Sequence, residues 1–206
     1  MSVLTEITQQ AQAQSAFEVV AVLAAIAYLG LAIRQNIYCW LFAAISTAIF
    51  IWLFIEAKLY MESVLNAFYL LMAAYGWSVW RSGDSHHNWR PVVRWSLKIH
   101  AAAIAAIVLV SLLNGYFLTK FSDAAFPYVD SMTTWFAVWA TFLVARKVLE
   151  NWWYWLLIDA ASVFIYWSRD LQLTSFLFVV YIIMIPFGLA SWSRSFQQRK
   201  NVTNTL

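Results

Sequence analysis

The sequence predicts an all-α integral membrane protein with seven transmembrane helices, and three observations support this fold class. Hydrophobic residues make up 63% of the 206 residues and charged residues only 11%, whereas soluble domains carry about 25% charged residues. Apolar stretches long enough to cross a bilayer as helices recur along the chain, with short polar breaks between them. The 13 Trp, 10 Tyr and 15 Phe residues are typical of aromatic belts at the two membrane interfaces.

The apolar stretches show no strict alternation of polar and apolar residues, so we predict that they are helices. Arg146, Lys147, Glu150 and Asn151 alone separate the fifth stretch from the sixth. In chain order, the predicted helices cover residues 17–33, 37–55, 63–80, 99–118, 131–144, 152–167 and 173–192.

The distribution of Lys and Arg predicts the orientation, because loops rich in these residues stay in the cytoplasm. Of the 13 Lys and Arg residues, three lie on one side of the predicted membrane: Lys58, Lys120 and Arg169. The others follow the first, third, fifth and seventh helices, at Arg34, Arg81, Arg90, Arg94, Lys98, Arg146, Lys147, Arg194, Arg199 and Lys200. We therefore expect the N-terminus outside and the C-terminus in the cytoplasm.

Two sets of residues indicate an internal repeat. Asn36, Trp40 and Trp52 recur as Asn151, Trp155 and Trp167, a pairing that we call the long register. At a slightly shorter spacing, which we call the short register, Tyr69, Gly76 and Trp80 recur as Tyr181, Gly188 and Trp192. Two three-helix units copied in the same sense need an odd helix between them to restore direction. The predicted organisation is 3+1+3, with units at 17–80 and 131–192 and a linking helix at 99–118.

Asp159 is the strongest candidate for a functional residue. It lies midway along the sixth predicted helix, where a carboxylate costs several kcal/mol unless it is paired or hydrated. Its counterpart in the long register is Ala44, so helix packing does not require an acid. Trp155 lies four residues earlier on the same helix face. A carboxylate beside an indole predicts a site for a flat cation.

Other candidates are polar or aromatic residues at membrane depth. The third predicted helix presents Asn66, Tyr69 and Trp80 on one face together with Gly76; Asn66 can bind either substrate or a neighbouring helix, and Gly76 suits close packing. The complete candidate substrate-binding set is Asn66, Tyr69, Trp80, Trp135, Tyr154, Trp155, Asp159 and Tyr181.

The sequence lacks the residues that several other classes of protein require. Cys39 is the only cysteine, which excludes an intramolecular disulfide. His86 and His87 lie in a polar stretch, and we expect a solvated loop there rather than a metal site. The chain has no glycine-rich phosphate loop and no basic stripe for nucleic acid. We expect no cofactor, no metal and no enzymatic activity.

Two stretches resemble motifs of the PnuC family of vitamin transporters. One is Tyr-Gly-Trp-Ser-Val-Trp at residues 75–80, followed by Arg81; the other is Ala-Arg-Lys-Val-Leu-Glu-Asn-Trp at residues 145–152, with Trp155 and Asp159 beyond it. The resemblance implies a fold similar to the SWEET sugar carriers, packed as a homotrimer in the bacterial inner membrane. It also implies facilitated diffusion of an unphosphorylated vitamin, which a cytosolic kinase then traps.

The resemblance leaves the vitamin open. Family members that carry nicotinamide riboside commonly have Gln where this chain has Ala73, which favours the thiamine-transporting branch. Thiamine is the main expectation, nicotinamide riboside the alternative and riboflavin the third candidate. A structural membrane scaffold without transport is the alternative from another class.

Overall fold

A computed structural model describes residues 16–56, 60–82, 90–121, 126–168 and 172–204. His86 and His87 lie outside these ranges. The described residues form seven α-helices, which confirms the all-helical class and the number of helices. The helices are α1 (Ala16–Ile33), α2 (Cys39–Glu56), α3 (Tyr60–Arg81), α4 (Leu97–Phe121), α5 (Pro127–Ala145), α6 (Asn151–Ser168) and α7 (Gln172–Asn204).

The helices differ from the sequence prediction mainly at their ends. Helix α5 begins earlier than predicted because Pro127 stands in its first turn, where a proline lacks only an amide that would be unpaired anyway. Helix α7 has 33 residues and, at a rise of about 1.5 Å per residue, is longer than the hydrocarbon core is thick. No helix breaker follows Trp192, so the polar stretch after it continues the helix.

The helices pack as two groups of three, α1–α3 and α5–α7, with α4 against α5. The groups meet at two seams, where α3 packs against α5 and α1 packs against α7. Helix α4 and residues Ser175–Asn201 of α7 are long and apolar enough to cross a membrane. Apolar side chains of α4 such as Leu109, Leu113 and Phe117 are exposed.

Four tryptophans fill the centre where the two groups meet. Trp40 contacts Trp80 edge-to-face with ring centroids 5.5 Å apart, and Trp152 contacts Trp192 in the same way at 5.5 Å. Trp80 and Trp192 then contact each other across the centre at 6.1 Å. Edge-to-face geometry suits the charge distribution of aromatic rings, so these contacts stabilise the packing of the four tryptophans at the centre.

Many contacts in the first group recur in the second group in the short register. Helices α1 and α5 are both followed by a non-glycine residue in the left-handed conformation, Gln35 with φ 55° and Lys147 with φ 53°. The indole of Trp192 donates a hydrogen bond to the Ala32 carbonyl (2.9 Å), and that of Trp80 donates to the Val144 carbonyl (3.3 Å). Each group therefore supplies a tryptophan that binds the helix end of the other group.

These contacts correct one pairing of the sequence analysis. The long register pairs Trp40 with Trp155 and places Ala44 opposite Asp159. In the structure, Trp40 lies against Gly76 as Trp152 lies against Gly188, so the long register is wrong by about one helical turn for the second helix of each group. In the short register, Thr47 is the counterpart of Asp159.

Candidate functional site

A partly open cavity of about 140 Å³ lies between the two groups of helices, close to the tryptophan centre. Its walls come from α1, the end of α5, α6 and α7. The lining residues are Ala25, Tyr28, Leu29, Ala32, Val144, Asn151, Trp152, Trp155, Asp159, Phe178, Tyr181 and Ile185.

One face of α6 supplies most of the polar and aromatic chemistry of the cavity. Asn151, Trp155 and Asp159 follow one another at intervals of four residues, which places their side chains on one side of the helix. Asn151 is fully buried and Asp159 is 3% exposed. The face therefore presents an amide, an indole and a carboxylate in a row along the cavity wall.

The Asp159 carboxylate has no hydrogen-bond or ion-pair partner among the residues that the structure describes. Two tyrosines, Tyr69 and Tyr181, lie within electrostatic range of it, and neither provides a positive charge. An unpaired carboxylate in an apolar interior costs free energy that the protein itself does not recover. A cation held in the cavity would provide the missing partner.

Two further polar atoms in the cavity wall are also left without partners within the described part of the chain. The Asn151 amide nitrogen donates to the Val148 carbonyl at 2.7 Å, but the Asn151 carbonyl oxygen is unpaired. The indole nitrogen of Trp152 is unpaired as well. Buried polar groups are normally satisfied, so these two fully buried atoms are exceptions beside the cavity.

Aromatic rings from three helices complete the cavity. Trp155 lies on α6, and Phe178 on α7 contacts Tyr181 edge-to-face with ring centroids 5.8 Å apart. Tyr28 of α1 contacts Trp40 at 6.1 Å. Together with the carboxylate, these rings can hold a flat, positively charged molecule by stacking, cation–π attraction and charge.

Of the eight residues selected from the sequence, the structure brings Trp155, Asp159 and Tyr181 into the cavity wall. Tyr69 lies near Asp159 but does not line the cavity. Asn66 is half-buried on α3 and does not line it either.

The other three selected residues lie elsewhere. Trp80 is fully buried and holds α3 to the end of α5 through its indole nitrogen. Tyr154 is hydrogen-bonded to His100 at 3.0 Å, and Trp135 is 37% exposed on α5. Trp80 and Tyr154 thus serve packing between helices.

Sequence reasoning did not predict that Tyr28, Asn151, Trp152 and Phe178 line the cavity. Trp152 and Trp153 fit an interfacial belt equally well by sequence, but Trp153 is 55% exposed whereas Trp152 is 2% exposed. Two adjacent residues of a helix point about 100° apart, and the sequence alone does not say which one faces the interior. The four-residue interval between Asn151 and Trp155 was the available signal for Asn151.

Comparison with known proteins assigns the chain to a family. A family model described as "Nicotinamide mononucleotide transporter" matches residues 15–194, which is most of the chain. The chain belongs to this family.

Individual relatives within this PnuC family have different printed functions. The nicotinamide riboside transporter PnuC of Escherichia coli (strain K12) is 24% identical over 207 residues, covering 88% of this chain and 87% of the relative. The riboflavin/roseoflavin transporter RibM of Streptomyces davaonensis is 24% identical over 171 residues, covering 80% of this chain and 78% of the relative. This chain is a membrane transporter of the same family.

A solved structure establishes the fold independently of the sequence match. The crystal structure of the vitamin B3 transporter PnuC superimposes with a TM-score of 0.72, covering 95% of this chain and 90% of that chain. Sequence identity in that alignment is 19%, so the comparison supports the fold of this PnuC family member and not its ligand.

Proposed function

We propose that this PnuC family member is a facilitated-diffusion carrier for a flat, positively charged vitamin precursor. The observation that carries the proposal is the Asp159 carboxylate, buried without a charge partner among the described residues and lining the same cavity as Trp155. A permanent ring cation offsets the cost of the buried carboxylate, and the indole face adds cation–π attraction.

Nicotinamide riboside is the first candidate for the ligand. One relative is named for it, and its pyridinium ring is flat and permanently charged. Its carboxamide offers both a donor and an acceptor. The unpaired Asn151 carbonyl oxygen and Trp152 indole nitrogen are fully buried, so pairing with the carboxamide requires a shift of these side chains. The site set in this proposal is Tyr28, Asn151, Trp152, Trp155, Asp159 and Tyr181.

Thiamine, the main expectation from the sequence, becomes the second candidate. It is also a flat cation, and its aminopyrimidine ring offers a donor beside an acceptor. The argument for it from Ala73 is weaker now, because Ala73 is 2% exposed within the apolar core and does not line the cavity. Riboflavin, for which another relative is named, is neutral and gains less from Asp159.

The 3+1+3 arrangement suggests how a carrier of this kind moves its ligand. The cavity lies where α1 of the first group meets α6 and α7 of the second, so rocking of one group against the other opens it to either side in turn. Transport is passive, the N-terminus is outside, the C-terminus is cytoplasmic, and three copies assemble in the bacterial inner membrane.

Titration calorimetry on the purified protein tests this function. The affinities for nicotinamide riboside, thiamine and riboflavin should be measured separately, and we expect nicotinamide riboside to bind most tightly. Tightest binding of thiamine would restore the expectation from the sequence and leave the cationic site intact. Tightest binding of riboflavin would contradict the role of charge, and absence of binding by all three would favour a scaffold without transport.

A further inference from the structure

A second cavity lies outside the candidate ligand site, on the seam between α1 and α7. It is an open groove, which we call the α1–α7 groove. It has a volume of about 590 Å³ and is lined by Ala27, Gly30, Leu31, Ile33, Arg34, Phe42, Met184 and Phe187. Apart from Arg34 the lining is apolar, and Arg34 and Phe187 are both exposed. None of these residues lines the cavity that contains Asp159.

The other seam, between α3 and α5, shows what fills the equivalent place. In the short register, Gly30 corresponds to Phe142 and Ala27 to Trp139. The Phe142 ring stacks on Tyr75 with centroids 6.3 Å apart and contacts Trp139 at 5.7 Å. Trp95, from the connection before α4, contacts the rings of Phe142 and Trp139 at 6.1 and 5.9 Å.

The two arginines at the ends of the seams differ in the same way. Arg146 donates a hydrogen bond to the Tyr75 hydroxyl at 3.1 Å, and its guanidinium lies 5.9 Å from the centroid of the Phe142 ring. Its counterpart Arg34 has no hydrogen bond or ion pair with any described residue. The place of Tyr75 is taken by Phe187, which has no hydroxyl to accept a hydrogen bond.

We propose that the α1–α7 groove is a binding site for an anionic phospholipid, with one acyl chain along Gly30 and the phosphate at Arg34. In a bilayer, an apolar groove at a helix seam is filled by hydrocarbon if the protein supplies no side chain for it. A cation at the end of a spanning helix lies at headgroup depth and attracts anionic lipids. Gly30 leaves the groove open, since a Cβ atom built there meets nothing within 4 Å.

Native mass spectrometry of the purified full chain tests the proposal, with phosphatidylglycerol and phosphatidylcholine as probes. Wild-type protein should prefer phosphatidylglycerol by about fivefold, the effect expected of one cation near the headgroups. Arg34→Gln should abolish this preference. Gly30→Phe, which inserts the ring that the other seam has, should lower binding of both lipids. The controls are Gly30→Ala, which leaves most of the groove open, and Lys98→Gln, an exposed cation on α4.

Thermal unfolding of each variant establishes that it is folded. If Gly30→Phe does not fold, the comparison of wild type with Arg34→Gln still tests the proposal. Phosphatidylglycerol bound equally by wild type, Arg34→Gln and Gly30→Phe would overturn the proposal. A change in the number of chains per complex on Gly30→Phe would show that a second copy occupies the groove, which also overturns it. Loss of lipid with Gly30→Phe but an unchanged preference with Arg34→Gln would remove the assignment of the phosphate to Arg34.

Discussion

Asp159 occupies a position at which packing requires no acid. In the short register its counterpart is Thr47, whose hydroxyl is satisfied by the Ala43 carbonyl of its own helix at 2.8 Å. A hydroxyl of this kind costs little at membrane depth, because it bonds back to the preceding turn. The Asp159 carboxylate, at the equivalent place in the second group, has no proton to donate to a backbone carbonyl and makes no such hydrogen bond. Its position therefore points to a ligand.

The first prediction concerns Asp159→Asn. Removing the carboxylate leaves the ligand charge uncompensated, so binding of nicotinamide riboside or thiamine should weaken tens-fold or more, corresponding to about 2–5 kcal/mol. The same variant should unfold at an equal or higher temperature without ligand, because it removes an unpaired buried charge. Titration calorimetry and thermal unfolding of the same preparations measure both effects.

Asp130→Asn, in the first turn of α5, is a matched control that removes an acid outside the cavity. Unchanged affinity of Asp159→Asn, or a clear loss of its thermal stability, would show that the acid holds the fold instead of the ligand. Ligand binding in the cavity would then have to depend on the aromatic residues that line it, Tyr28, Trp155 and Tyr181.

At the scale of helices, the close approach of α2 to α3 and of α6 to α7 depends on two glycines. A Cβ atom at Gly76 would lie 2.3 Å from the Trp40 ring, and one at Gly188 would lie 2.3 Å from the Trp152 ring. Both rings are 2% exposed and are fixed by the other tryptophans of the centre. The Trp40 and Trp152 rings therefore cannot move without disturbing all four tryptophans.

The second prediction is that Gly76→Ala destabilises the protein by about 1–3 kcal/mol, the usual cost of overpacking. The measurement is the midpoint of thermal unfolding followed by tryptophan fluorescence. Gly30→Ala is the control, because its added methyl group meets nothing within 4 Å and alanine favours the helix. Equal midpoints for Gly76→Ala and Gly30→Ala would disprove the packing role of Gly76.

The connection between α5 and α6 contains a buried amine. Lys147 is 1% exposed, and its Nζ atom lies 4.3 Å from the centroid of a Trp80 ring. Burial, opposed in part by Cys39 and helped by the charge of Arg90, lowers the pKa of Lys147 from 10.5 to about 8. The unfolded chain therefore binds more protons than the folded chain between about pH 8 and pH 10.5, and stability should rise with pH in this window.

The third prediction follows from this rise of stability with pH. Between pH 7 and pH 10, wild-type protein should gain stability relative to Lys147→Met by about 1–3 kcal/mol, because the methionine variant has no buried charge to release. Unfolding midpoints across this pH range measure the difference. Lys98→Met, which removes an exposed amine on α4, should keep the wild-type slope. Parallel curves for wild type and Lys147→Met would show that this amine stays charged when folded.

The excess of Lys and Arg on one side of the membrane predicts the orientation of the protein, which fusions to the C-terminus can test. The fourth prediction is that a C-terminal fluorescent fusion is bright and a C-terminal alkaline phosphatase fusion is inactive, as the proposed cytoplasmic C-terminus requires. An active phosphatase fusion would reverse the proposed orientation. The subunit number measured by native mass spectrometry tests the homotrimer in the same preparation.

The fifth prediction is that transport is passive. In vesicles without a kinase, internal and external nicotinamide riboside should reach the same concentration, because no nucleotide-binding loop occurs in the sequence. Asp159 is a single acid and gives no independent reason to expect proton coupling. Accumulation that an uncoupler abolishes would contradict the passive mechanism.

Seven helices could be predicted from the sequence, because hydrocarbon thickness dictates the length of each apolar stretch and lipid permits few charges within it. The sequence also singled out Asp159, since a carboxylate stands out in an apolar helix, and Trp155, since a four-residue interval fixes a shared face; both line the cavity. These inferences use only local periodicity and the cost of burying charge.

The tertiary structure alone decided which aromatic residues face the cavity and which hold the helices together. Trp80 and Trp155 are both tryptophans within predicted helices, yet one bonds to the end of α5 and the other lines the cavity. It also decided that the short register extends to the second helix of each group, and that Tyr28 of α1 lines the cavity. These features depend on how distant helices cross, and in a chain with 13 Trp many crossings satisfy the same hydrophobic pattern.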